Sequence, residues 1–161
     1  MRRRLARELA LQSLYQVEMN EVTLSDAIAH VVEEANNDDE AQLTKEKDRI
    51  SPQYVTELAE GTLQHKQQID HLLADYLKGW QMDRLSRVDR EILRLATYEM
   101  LYKDDVPPKV VVNEAIEMAK HFGTDESGKF VNGVLGKMLK DLEKLRGSRP
   151  ETGESTETKG E

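Results

Sequence analysis

The sequence predicts an all-α protein of about seven helices, arranged as two packed helical bundles that share a central helix. Three observations carry this. Apolar residues recur at i, i+3, i+4 and i+7 along most of the chain. No segment sustains the period-two alternation of a half-buried strand; Val110 to Val112 is the one β-prone run, and it lies within a helical stripe. The chain has 161 residues and no cysteine, a length that suits one domain, or two small subdomains sharing a core, without covalent staples.

The first helix runs from about Arg2 to Met19. Leu5, Leu9, Leu14 and Val17 form its apolar side, and Ala6 and Ala10 allow close packing. Arg3, Arg4 and Arg7 share a face by their spacing, with Arg2 at the frayed end. Four arginines at the positive end of a helix dipole cost stability, so the cluster points to a phosphate-binding patch; the alternative is a solvated helix start. A second helix follows Thr23 or Ser25, with Ala27, Ile28, Val31 and Val32 facing inward. Residues 36–50 read as an acidic flexible loop, because Leu43 is nearly its only apolar residue. It lacks the ligand spacing and central glycine of a calcium loop.

Ser51 and Pro52 suit an N-cap and first helical position, and Val55, Leu58, Ala59, Thr62 and Leu63 continue that helix. Ile69, Leu72, Leu73 and Tyr76 mark a further helix from Lys66 to Leu77, ended by Gly79. Trp80 reads as a packing residue of the next turn, near Met82 and Leu85. From Ser86 to Tyr102 two stripes appear, one of Val88, Ile92, Leu95 and Ala96, the other of Leu93, Met100 and Leu101. A helix apolar on two sides is buried between layers. Pro107 and Pro108 interrupt the chain, and a helix begins near Lys109 with Val112, Ala115, Ile116 and Ala119 as its stripe. Gly123 is placed at C′, where a left-handed conformation is expected. A short polar turn then leads to a helix from about Ser127, striped by Val131, Val134, Leu135, Met138, Leu142 and Leu145, antiparallel to its predecessor. The folded domain covers 1–145; residues 146–161 lack large apolar side chains and read as a disordered tail.

The net charge of −8 argues against a nucleic-acid partner until its distribution is considered. Between Glu18 and Asp48 lie ten acidic residues and two lysines, which leaves 21 acidic and 21 basic residues elsewhere. A local basic site can coexist with that balance, since exposed charges are screened beyond about 10 Å at 0.1 M salt. No apolar run approaches a membrane span, and the basic N-terminus lacks the apolar core of a signal peptide. A cytoplasmic protein is the expectation.

No catalytic set is legible. Gly123 to Phe130 nearly matches a phosphate-binding loop, but Phe130 replaces the magnesium-binding hydroxyl, a helix precedes it, and Asp125 and Glu126 would repel a triphosphate. His30, His65, His71 and His121 are scattered, so no metal site is expected. Lys129 and Phe130 have two readings: a solvated cation beside a core ring, or a phosphate contact beside a stacking ring. Tyr15 can pack with its hydroxyl exposed, and Asp89 can pair with Arg87 or Arg90.

Three motifs resemble the NusB family of bacterial transcription antitermination factors. They are Arg-x-x-Ala-Arg-Glu-x-Ala-x-Gln-x-Leu-Tyr from Arg3 to Tyr15, Arg87-Val-Asp-Arg-Glu-Ile-Leu-Arg-Leu-Ala-x-Tyr-Glu99, and Val106-Pro-x-Lys-Val-x-x-Asn-Glu-Ala-Ile-Glu-x-Ala-Lys120 followed by Phe-Gly and Ser127-x-Lys-Phe-Val-Asn-Gly-Val-Leu135. The resemblance covers the chain to about Leu145. It implies that Arg2, Arg3, Arg4, Arg7, Ser127, Lys129 and Phe130 face RNA, with Lys129 on phosphate and Phe130 offering its ring to a base. It implies that Tyr15 and Asp89 dock NusE, a ribosomal small-subunit protein. The implied function is binding of boxA-type single-stranded RNA in nascent ribosomal transcripts with NusE, supporting read-through by RNA polymerase, with no cofactor and no reaction; some family members also self-associate as homodimers. Two alternatives stay open: a detached RNA-binding domain related to ribosomal RNA cytosine methyltransferases, and a protein adaptor without an RNA role.

Overall fold

A computed structural model describes residues 3–41, 52–77 and 85–148. Arg2, Ser51, Gly79, Trp80, Met82, residues 42–50 and the tail from 149 lie outside the described residues. The described residues form eight helices and no strand: α1 (Arg3–Asn20), α2 (Leu24–Ala41), α3 (Pro52–Gln64), α4 (Lys66–Ala74), α5 (Arg87–Tyr102), α6 (Pro108–Phe122), α7 (Asp125–Lys140) and α8 (Leu142–Ser148). Helices α1, α2 and α3 pack mutually as one bundle; α6, α7 and α8 gather on the other side. Helix α5 lies between them and touches α1, α3, α4, α6, α7 and α8. Its expected apolar residues are buried from Ile92 and Leu93 to Met100 and Leu101, while Val88 near its start is partly buried.

The structure adds detail to the sequence reading, or departs from it, in several places, and the described residues form eight helices where about seven were expected. Helix α2 continues to Ala41, six residues into the stretch read as loop. Helix α1 ends without a glycine: Glu21 takes φ 55° and its N–H donates to the Val17 carbonyl at 3.2 Å, a left-handed cap at some cost to a non-glycine residue. The last stripe is split by a turn at Asp141. There Tyr76 donates to Asp141 Oδ2 at 2.6 Å, and burial together with that carboxylate pushes the Tyr76 hydroxyl up to about 12. Helix α8 then runs past Leu145 to Ser148, and Arg146 Nε donates to the Met100 carbonyl at 2.9 Å.

The α6–α7 hairpin is the most extensive helix pair. Thr124 caps α7 by accepting from Ser127 N–H, so α7 starts at Asp125. Asp125 and Glu126 thus sit in a first turn, where negative charge suits the helix dipole. Gly123 has φ −119°, so it is not left-handed as expected. Its need for glycine is steric: a Cβ would lie 2.6 Å from Ser127 Oγ and 2.9 Å from the Ala119 carbonyl oxygen.

Candidate nucleic-acid and partner interface

The start of α1 lies against α6 and the α5–α6 connection. Arg4 makes a two-pronged ion pair with Glu114, from Nε at 2.6 Å and Nη2 at 2.8 Å. The bond from Arg4 holds the Glu114 carboxyl below its usual range, against the opposing effect of burial. Arg3 reaches the Tyr54 hydroxyl at 3.2 Å and Asp105 at 3.4 Å, and its guanidinium lies 5.3 Å from the Tyr54 ring centre. The Arg3 and Arg4 side chains remain 43% and 58% exposed.

Arg7 is different, and the expectation that it binds phosphate is corrected. It is 3% exposed and donates to Glu99, itself 1% exposed, from Nε at 2.8 Å and Nη2 at 3.0 Å. The i, i+3, i+4 spacing does put the arginines on one face. That face turns toward the seam between the bundles, and Arg7, one turn further in, is enclosed by it.

Farther along the surface, burial raises the Glu8 carboxyl, with His121 and Arg4 opposing. The start of α7 then meets the start of α5. Ser127 Oγ donates to Asp89 Oδ2 at 3.3 Å, and Asp89 N–H donates to the capping Ser86 Oγ at 3.1 Å. Asp89 Oδ1 is buried and without a hydrogen-bond partner. A residue expected to face RNA and one expected to face NusE are therefore bonded to each other. Asp89 is not paired with Arg87 or Arg90, because both of those meet Glu18 on α1. Lys129 is 76% exposed, 3.7 Å from Glu126, and lies in the second turn of α7 instead of the first. Phe130 is half-buried against the core. Tyr15 and Met19 on α1, and Val22 just after it, are 36%, 40% and 37% exposed.

Behind this surface lies a polar cluster that the sequence did not disclose. A cavity of about 200 Å³ is lined by Leu14, Val17, Glu18, Lys66, Glu91 and Arg94 among others. Arg94 bridges Glu91 at 2.9 Å and both oxygens of Asp70 at 2.8 Å. Burial, and then the neighbouring Glu18 carboxylate, push Glu91 up from 4.5 to about 8, outweighing Arg94 and Arg90. Burial also opposes the charged form of Glu18, but the bond from Glu91 and the charge of Arg90 hold it below its usual range. The pair keeps one proton, on Glu91. A folded state that holds a proton the unfolded chain has released loses stability as pH rises through the window from 4.5 to about 8. Glu91→Gln keeps a donor toward Glu18 and cannot titrate. Its melting temperature is expected to fall less than the wild type's between pH 5 and pH 8.5 by circular dichroism; parallel curves would refute the shared proton.

A wholly helical scaffold with exposed guanidinium groups at the start of α1 and the exposed side chains of Tyr15 and Met19 toward its end defines a binding module. No helix among the described residues is long and apolar enough to cross a membrane. The family model that matches is the NusB family, over residues 4–140. The transcription antitermination protein NusB of Bacillus subtilis is 42% identical over 143 residues, covering 89% of this chain and 98% of that protein. A solved T. maritima NusB superposes with a TM-score of 0.74 at 35% identity, over 88% of this chain and 92% of that one. The antitermination factors NusB and NusE in complex with dsRNA provide another match, with a TM-score of 0.71 at 29% identity, over 87% of this chain and 98% of that one. The chain belongs to the NusB family of transcription antitermination proteins.

Proposed function

We propose that this chain binds a boxA-type RNA in nascent ribosomal transcripts together with NusE, supporting read-through by RNA polymerase in the cytoplasm. The observation that carries this reading is the pair Arg3 and Arg4, exposed on one face of α1, in a chain whose relative has been solved with both NusE and dsRNA. Phosphate contacts would supply affinity, and the bases would be read by edges and stacking. Lys129 and Ser127 contribute from the start of α7, and Phe130 offers the exposed part of its ring. Arg7 supports this surface from beneath and is not a contact. Tyr15 and Asp89 form the NusE side of the same surface.

The test is a titration of labelled boxA-type RNA, single-stranded and as a duplex, with and without NusE, at several salt concentrations. Tighter binding of the single strand with NusE is expected. Arg4→Ala should lower the slope of log K against log salt by about 0.7, the contribution of one single-strand phosphate, and weaken scrambled RNA equally. An unchanged slope would remove Arg4 from the contact set; no binding to either RNA form, with or without NusE, would remove the RNA reading itself.

A further inference from the structure

The arginines at the start of α1 border a groove of about 420 Å³ whose other walls come from the α5–α6 connection and α6. Its lining is mixed in a way that phosphate binding does not explain. Val106, Pro107 and Val110 contribute apolar surface, and Val110 is 42% exposed, one of the few large apolar side chains left in water. Two carboxylates, Asp105 and Glu114, stand among the arginines. A site built only for phosphate gains nothing from either feature, since carboxylates repel phosphate and apolar surface does not bind it.

The two carboxylates differ in availability. Both oxygens of Glu114 are occupied by Arg4, and the side chain is 19% exposed. Arg4 therefore has Nε and Nη2 engaged, while its Nη1 makes no hydrogen bond among the described residues and is left for an incoming group. Asp105 is 48% exposed. Among the described residues it accepts a single long hydrogen bond, from Arg3 to Oδ2, Oδ1 accepts none, and Lys103 lies close enough to feel its charge. An exposed carboxylate beside an apolar platform and a fixed cation is complementary to an uncharged planar ring that carries an N–H₂ donor and is linked to an anion. A nucleobase with an exocyclic amino group, attached to its phosphate, is such a ligand.

We propose that this groove is a base-selecting subsite: an amino-bearing base rests on Val110 and Pro107 and donates its exocyclic N–H to Asp105, while Arg4 Nη1 takes the adjoining phosphate. This rests on the RNA reading above and adds to it a selecting residue, Asp105. A carboxylate that accepts from an amino group stands unpaired before a base without one, so discrimination comes chiefly from the penalty on the wrong base.

The experiment uses the full chain with NusE and a boxA-type RNA in which each adenosine, cytidine or guanosine is replaced, one at a time, by purine riboside, pyrimidin-2-one riboside or inosine. Each replacement removes only the exocyclic amino group. Wild type is expected to lose about tenfold in affinity at one position. Asp105→Ala should abolish the penalty at that position and leave the penalties at other positions as in wild type. If Asp105→Ala tightens every RNA equally and the penalty persists, Asp105 only restrains Arg3 and the proposal fails. It fails also if no amino group matters to wild type. Absence of any RNA binding would instead remove the underlying reading, so the two failures are distinct.

Discussion

Arg7→Ala is expected to destabilise the protein by about 3–5 kcal/mol, because it strands the Glu99 carboxylate in the interior. The pair is sealed: Arg7 and Glu99 are 3% and 1% exposed, and two parallel hydrogen bonds join them between α1 and α5. For a chain of this length the loss corresponds to a fall in melting temperature on the order of 10 °C. The effect would be the same with no RNA present, which separates it from a binding defect. Replacing both members with apolar side chains, as in Arg7→Met with Glu99→Leu, should recover most of the stability, since breaking a buried pair costs more than replacing it. Thermal melts of the single and double variants measure this. A single variant that melts like wild type would show that water reaches Glu99 and that Arg7 is a surface residue after all.

Tyr15→Ala is expected to weaken NusE binding by about 2 kcal/mol, close to thirtyfold, the range of an aromatic anchor at the centre of an interface. Tyr15 and Met19 are spaced i, i+4 on α1, Val22 follows just beyond the helix end, and all three leave apolar surface in water, so they can gain by burial against a partner without disturbing the core. Asp89→Lys should also weaken docking, through reversed charge at the start of α5, but its reading needs more care. Asp89 holds Ser127 and has an orphaned buried oxygen, so the variant perturbs the α5–α7 contact as well. Isothermal titration with NusE, run beside melting of each variant, separates the two effects. Wild-type affinity in a properly folded Tyr15→Ala would place the partner elsewhere.

The secondary structure was legible because periodicity and punctuation agreed. Pro52 opens α3 as expected, α5 and α6 begin within one residue of Ser86 and Lys109, their expected starts, and the structure adds that Ser86 caps α5. The two apolar stripes of α5 predicted its central place, and the motif resemblance singled out the α1 arginines, the α7 start, Tyr15 and Asp89 as candidates. Spacing also showed correctly that Arg3, Arg4 and Arg7 share a face.

What spacing could not show is what that face meets. The partners of those arginines lie 92 to 110 residues away: Asp105 for Arg3, Glu114 for Arg4, Glu99 for Arg7. Helical periodicity reports which side a residue occupies and carries no record of the element packed against it. Among many carboxylates on a charged helical chain, nothing local marks these three. The same blindness hid Glu91, whose proton affinity comes from burial and from Glu18 on another helix. The sequence by itself determined the helices, their apolar faces and the family. Only the tertiary structure decided which charges are buried and paired and which stay in water, because desolvation and ion pairing depend on distances that packing alone sets.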